Sequence, residues 1–472
     1  MNIKKFTALL ILFLTGIDTL LAQNGVTETK WEGELQYFAI NLKLSEDSLT
    51  KQMVAKLDIP SQNIKDIKAS TLTLDNDNIT VHFATLQAMY RGQFNKNKSV
   101  ITGHWIQFAQ SFNLTFAQKA KLIRPQTPVG PFPYEIENVE YYNKDRSIKY
   151  GATLTLPKLV KKAKAVILIT GSGQLDRDET MMEHKPFWII ADHLSRNGIA
   201  VLRVDDRGIG NTTGNFSGAT SADFANDVMV GLEYLKNHAG IDPKNIGLIG
   251  HSEGGIIGPI TATQSNDVAF LVSMAGVGIK GFDLLNKQRL ASLSKIGYTP
   301  EDINKLHDLY ASVAKIAKEN TSADTYGPAF GKFITEWLKQ QPDPFLYKVG
   351  YKGAKGNEAI DILAGQFYDP WTRYLNNYDP ATTLTKITVP VLALNGEKDI
   401  LVSAKENLAG FNTLLTQAGN KNFKTISMPG LNHLFQHANT GEVTEYIAIE
   451  ETISPEVLDI ITKWIQGLKP RK

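Results

Sequence analysis

The five residues Gly250-His251-Ser252-Glu253-Gly254 set a serine between glycines where the apolar run Asn245–Gly250 hands over to Gly255–Gln264. The first segment has the continuous apolar character of a buried strand, and the second has the length and composition of a helix. A strand-to-helix turn this sharp leaves no room for bulk on either side of the serine. It holds the serine in strained dihedrals, with the hydroxyl pushed above the sheet and a helix N-terminus beneath it. A hydroxyl presented in this way suits nucleophilic attack on a carbonyl.

Serine is a weak nucleophile until a base takes its proton, and the base needs an acid to orient it. With an elbow of this kind the acid follows a later strand and the histidine comes last. "VPVLALNGEKDILV" ends a buried strand in a turn carrying Asp399, and "TISMPGLNHLFQ" ends the next strand in a loop carrying His433. Ser252, Asp399 and His433 therefore stand in the expected order, each just past the carboxyl end of a predicted strand. Glu397 is the rival acid in the same turn and His437 the rival base. His251 flanks the elbow and is turned from its neighbour by the backbone, and His184, beside a helix start, reads as structural.

Acyl transfer also needs donors aimed at the developing oxyanion. One is the backbone N–H of Glu253. The second is expected from the loop "GSGQLDRD" (Gly171–Asp178) after the strand "AVILIT", at the N–H of Ser172. A phosphate cradle is the other use of such a loop, but "TGSGQ" lacks a P-loop lysine and the third glycine of a dinucleotide fingerprint.

These residues need a scaffold. Beyond residue 135, continuous apolar strands ("AVILIT", "IAVLRV", "NIGLIG", "FLVSMAG", "VPVLAL") alternate with helical segments such as "HKPFWIIADHLSRNG" and, capped by Ser221, "ADFANDVMVGLEYLKNH". That rhythm predicts a mostly parallel sheet covered by helices on both faces. Between about residues 277 and 380 the alternation stops. Thr299 as N-cap with Pro300 behind it starts one helix, and "GKFITEWLKQQ" forms another. A helical insertion between strands reads as a lid over the strand ends, where ligands of such sheets bind.

Upstream, residues 26–122 follow a period of two in short runs such as "WEGELQYFAINLKL" and "VITGHWIQF". They predict a small antiparallel β domain, barrel or sandwich, with Trp31, Tyr37, Phe38, Tyr90 and Trp105 in its core. Residues 123–134, with four prolines in "RPQTPVGPFPY", read as a stiff linker to the domain at 135–472.

With 472 residues, 42% hydrophobic and 21% charged, the chain is globular and long enough for two domains. A net charge of +2 gives no nucleic-acid footprint, and the absence of cysteine excludes disulfides, thiolate metal sites and cysteine nucleophiles. Lys4 and Lys5, the apolar "FTALLILFLTGI" and "TLLA" ending at Ala22 read as a signal peptide over residues 1–22, interrupted by Asp18. The expected location is therefore secreted or periplasmic, and no later segment is long and apolar enough to span a bilayer.

The stretches "GSGQLDRDE", "RVDDRGIGNTTG", "GHSEGG", "DPWTRYLNNYDP", "VLALNGEKDILV" and "LNHLFQ" resemble, in order, those of the α/β-hydrolase superfamily, in its secreted bacterial serine esterase branch with a serine aminopeptidase-like domain. The resemblance covers about two thirds of the chain. It implies the Ser252–Asp399–His433 triad, a helical lid after the sixth core strand, and a structural role for Asp205, Asp206 and Arg207. Thr170 departs from the histidine that often precedes the oxyanion loop, and Pro259 falls early in the nucleophile helix.

The expected function is hydrolysis of carboxylic esters, with a short acyl chain, through an acyl-enzyme, without metal or organic cofactor. The expected partner is a small-molecule ester, and a homodimer is left open. Two other readings stay open. One is a peptidase of the same fold acting on short peptides, with Glu253, Glu183 or Arg177 as anchor for a peptide terminus. The other is a binding protein whose hydrolase core is a relic.

Overall fold

The computed structural model describes residues 28–118 and 124–469, apart from 36–37, 61–63, 97, 108–109, 292 and 294–296. The expected signal peptide lies outside the described residues, as do Tyr37 and the side chain of Phe38. Chain contacts separate Met1–Leu122 from Ile123–Lys472.

In the first unit the alternating runs become β1 (Thr29–Leu35), β2 (Phe38–Glu46), β3 (Met53–Ile59), β4 (Ile64–Lys68), β5 (Thr71–Asp75), β6 (Asn78–Phe83), β7 (Ala88–Phe94), β8 (Val100–Gln107) and β9 (Gln110–Gln118). The nine strands form one sheet in the order β4-β3-β2-β1-β9-β8-β7-β6-β5. Sequence neighbours are thus sheet neighbours, and the antiparallel pair β1–β9 joins the two ends of the chain of strands. Only the seam between β4 and β5 is left unpaired in that order. The result is a half-barrel. One residue in two points inward, which buries Trp31, Tyr90 and Trp105 with Leu42, Val81 and Phe116. The Tyr90 hydroxyl reaches the carbonyls of Ile101 and Leu114, each at 3.1 Å, so the polar tip of the ring is satisfied in the core.

The second unit contains β10 (Tyr134–Tyr142), β11 (Lys149–Pro157), β12 (Ala163–Ile169), β13 (Ile199–Val204), β14 (Ile241–His251), β15 (Val268–Met274), β16 (Val391–Gly396) and β17 (Phe423–Met428). Their order is β10-β11-β13-β12-β14-β15-β16-β17. β11 alone runs against its neighbours, and β13 to β17 pair in parallel around β12. β12 to β16 are buried along most of their length, as their apolar sequences require, while β17 at the sheet edge is partly exposed. α1 (Pro186–Arg196) and α12 (Pro455–Gly467) cover one face. α2 (Ser221–Lys236), α3 (Gly254–Gln264) and α11 (Ala404–Gln417) cover the other. α3 runs on through Pro259.

Between β15, the sixth strand of this unit, and β16 lie α4 (Gly281–Leu290), α5 (Pro300–Glu319), α6 (Ala323–Lys339), α7 (Asp343–Lys348), α8 (Gly356–Tyr368), α9 (Pro370–Asn377) and α10 (Ala381–Leu384). Thr299 caps α5 in a capping box with Asp302 and Pro300 at the first position, as expected. α6 begins eight residues before the segment read from sequence and carries Pro328 inside it. Leu309, Val313, Phe330, Trp337 and Phe367 give the insertion a core of its own.

The α2 cap differs from the sequence reading. Thr220, not Ser221, is the N-cap and exchanges hydrogen bonds with Asp223. Ser221 is the first helical residue, and its hydroxyl donates instead to Glu253 at 2.6 Å. The segment read as a linker is anchored as well: Arg124 donates to the carbonyls of Met182, Ile447 and Ile449, and Gln126 bonds Thr452 and Ile453.

Candidate active site

Ser252, Asp399, His433 and Ser172 follow β14, β16, β17 and β12 respectively, so all four stand at the carboxyl ends of parallel strands. Ser252 has φ of +54°, in the left-handed region that a non-glycine residue enters only under constraint. The constraint is visible in its glycines. A Cβ on Gly250 would lie 2.0 Å from the carbonyl oxygen of Gly254, and one on Gly254 would lie 2.3 Å from that of Ile169. The turn closes only because both lack side chains, and α3 starts two residues after the serine.

Asp399 and His433 meet: His433 Nδ1 lies 2.7 Å from Asp399 Oδ2, with both side chains buried. Asp399 Oδ1 accepts the backbone N–H groups of Leu401 at 2.9 Å and Val402 at 2.8 Å, and Asn395 donates to Oδ2 at 3.2 Å. Four donors surround one carboxylate, which fixes it as an acceptor and keeps the Nδ1 proton of His433 pointed at it. The loop carrying His433 is pinned by Asn432, which bonds Leu434, Gln436 and the Gln436 side chain. His184 is fully buried against Thr452 and Gln436 and braces that loop from behind.

The rivals are occupied elsewhere. Glu397 accepts the N–H of Gly430 at an exposed position, and His437 pairs with Glu451 at 2.9 Å. Arg177 makes a two-pronged pair with Asp205, and Arg207 pairs with Asp227, so these charges are spent on scaffolding. Asp206 accepts the N–H of Leu175 and the hydroxyl of Thr170, each at 2.8 Å. Burial outweighs those bonds and pushes its carboxyl up to about 7. Thr170, which departs from the family pattern, thus has a partner of its own.

Ser252 and His433 line one cavity of about 310 Å³. No hydrogen bond joins Ser252 Oγ to the His433 ring among the described residues. Leu175, Met181, Ile256, Leu401 and Leu434 make its walls, and Leu284 and Leu375 from α4 and α9 of the insertion complete them. Glu253 and Ser172 also face it. Among the described residues the backbone N–H groups of these two have no hydrogen-bond acceptor. The Glu253 carboxyl is bonded by Ser221 and by the indole N–H of Trp371 at 2.9 and 3.0 Å. Burial raises its pKa against those bonds. A larger groove of about 610 Å³ runs along Ile279, Asp283, Lys287, His307 and Glu406, without a nucleophile beside a base.

Among the described residues no group of three or more His, Asp or Glu side chains is placed to hold a metal ion. No helix among them is long and apolar enough to cross a membrane. Sequence reasoning missed the Glu179 carboxylate, which bonds both Gly171 and His251, and the indole of Trp371 on Glu253.

A family model described as alpha/beta hydrolase fold matches residues 164–437, more than half of the chain. The esterase EstD of Thermotoga maritima is 26% identical over 317 residues, 66% of this chain and 64% of that protein. The multifunctional-autoprocessing repeats-in-toxin of Vibrio vulnificus is 25% identical over 256 residues, 51% of this chain and 4% of the toxin. The chain spans less than two thirds of the length of these curated relatives. Among solved structures, an esterase of Pyrococcus furiosus is 15% identical with a TM-score of 0.42, over 73% of this chain and 98% of that one. The family model runs from β12 to the loop after β17 and so takes in the elbow, the Asp399 turn and the His433 loop. The chain belongs to the α/β-hydrolase fold family.

Proposed function

We propose that the protein is a serine hydrolase that cleaves carboxylic esters with a small apolar acyl or alcohol group. Ser252 attacks the ester carbonyl while His433, oriented by Asp399, takes its proton. The oxyanion is held by the N–H groups of Ser172 and Glu253. His433 then protonates the leaving alcohol, and water activated by the same ring releases the acid from the acyl-enzyme. The observation that carries this reading is the buried 2.7 Å contact between His433 and Asp399 beside the cavity that Ser252 also lines. The apolar walls favour an uncharged chain, and the cavity of about 310 Å³ favours a short one.

The insertion, which supplies Leu284, Trp371 and Leu375 to the cavity, acts as a lid in this reading. The first 22 residues support export with cleavage after Ala22. Turnover of p-nitrophenyl esters from acetate to laurate, beside aminoacyl p-nitroanilides, tests the proposal. Rates highest for the short esters and dependent on Ser252 agree with it. Preferential cleavage of the anilides would move the assignment to a peptidase.

A further inference from the structure

A buried pair in the wall of the cavity, Glu179 and His251, has no part in the proton transfers above. His251, one residue before Ser252, has both ring nitrogens against acceptors. Nδ1 is 2.9 Å from Glu179 Oε1, and Nε2 is 3.0 Å from the carbonyl oxygen of His433. The carbonyl cannot donate. Glu179 Oε1 also accepts the N–H of Gly171 at 2.8 Å, which favours a carboxylate there over a carboxyl that would have to donate from the same oxygen. A neutral imidazole has one N–H and these two contacts need two, so the ring is an imidazolium with the Glu179 carboxylate as its counterion.

Other titratable groups around the ring are those of His433, 4.9 Å away between centroids, and Asp399. The Phe435 ring lies edge-on to it, 6.5 Å away between centroids. Burial works against the charged ring, but the Glu179 carboxylate and the His433 carbonyl outweigh it and hold His251 above the usual histidine range. Glu179 has φ of +52°, a left-handed conformation that persists in a non-glycine residue only where its surroundings demand it.

Through these bonds one charged pair touches three parts of the proposed machinery. Gly171 leads into Ser172, His251 leads into Ser252, and the carbonyl belongs to His433 itself. We propose that Glu179 and His251 are positioning residues that hold the Gly171–Ser172 loop, the nucleophile elbow and His433 in one register for catalysis. The proposal rests on the roles assigned above to Ser172, Ser252 and His433.

Glu179→Gln tests it with little change of shape. A glutamine oxygen can take the Gly171 N–H and one His251 N–H, but it supplies no counter-charge. The ring then falls to one proton, and either its contact with residue 179 or its contact with the His433 carbonyl sets lone pair against lone pair. The expected result for p-nitrophenyl acetate is a kcat lower by about 10- to 100-fold, with KM within about threefold, since the change keeps the size of the side chain and leaves the apolar walls Leu175, Ile256, Leu284 and Leu375 in place. Fluorophosphonate labelling of Ser252 should persist at a reduced rate. In wild-type protein, ¹⁵N spectra of labelled histidine should show one ring that keeps both protons above the usual histidine range, and His251→Phe should remove that signal.

A kcat within twofold of wild type in Glu179→Gln, or wild-type spectra in which no ring stays doubly protonated above the usual histidine range, would overturn the proposal. The spectrum is read on the unaltered enzyme, so it decides the matter even where a variant does not fold. Ester turnover that survives Ser252→Ala would instead overturn the underlying triad, independently of Glu179.

Discussion

Replacing Asp399 with asparagine preserves the size of the side chain and reverses one of its hydrogen bonds. The asparagine oxygen must stay on the N–H groups of Leu401 and Val402, now at 2.9 and 2.8 Å, because an amide NH₂ there would face two donors. Its NH₂ is then turned toward His433 Nδ1, which lies 2.7 Å from Asp399 Oδ2, and toward the Asn395 amide. Nδ1 can meet an NH₂ only as an acceptor, so the ring proton moves to Nε2. In the proposed mechanism that is the atom that takes the proton of Ser252. A base in the wrong tautomer, without a carboxylate to stabilise its charged form, costs on the order of 10⁴ in kcat. At about 1.4 kcal/mol per tenfold this is about 5 kcal/mol of transition-state stabilisation. Facing the two amides adds a destabilisation of about 1–3 kcal/mol, visible as a lower melting temperature rather than as a further rate loss. Initial rates on p-nitrophenyl acetate, with circular dichroism to confirm the fold, give the answer. A folded variant that keeps a tenth of wild-type kcat refutes the role given to Asp399. Glu397→Gln, the control in the same turn, should stay within twofold of wild type.

Asp206 sets a pH dependence of stability. Its folded pKa of about 7 lies above the value near 3.9 of an unfolded carboxyl, so the folded chain holds this proton more tightly. The contribution is fully present below about pH 4 and is lost as pH rises toward 7. Asparagine can keep both partners, since the Thr170 hydroxyl can turn from donor to acceptor. Asp206→Asn should therefore raise the melting temperature at pH 8 relative to wild type and change it little at pH 4; calorimetry showing equal shifts at both would refute this origin. At the elbow, Gly254→Ala sets a methyl 2.3 Å from the Ile169 carbonyl oxygen, and the turn must move to admit it. A fall in kcat of at least about tenfold is expected, and a variant with wild-type kcat would show that the elbow tolerates a shift the geometry forbids.

The parts of the site legible in the sequence were those where one local rule dominates. Glycines around Ser252 announced the tight turn, and unbroken apolar runs announced β12 to β16. Asp399 was separable from Glu397 only by position in its turn, and the structure brings Asp399 alone to His433. What stayed hidden depends on distant partners. Glu179 and His251 are 72 residues apart, and nothing near either one signals the pair. Ser221 looked like a cap because serine favours that position, yet Thr220 takes it and releases Ser221 to Glu253, 32 residues away. The insertion read as two helices holds seven among the described residues, because short segments such as α7 and α9 are too brief for a periodic signal. β10 and β11 give no comparable signal: β10 alternates between exposed and partly or fully buried residues, and β11, though buried, carries Gly151, Thr153 and Thr155 in place of an unbroken apolar run.

The most direct measurement is the site of covalent modification. Intact-mass analysis and peptide mapping after treatment with a fluorophosphonate should find one adduct per chain, on Ser252, and none in Ser252→Ala. An enzyme that hydrolyses esters yet carries no adduct on Ser252 would contradict the account at its centre.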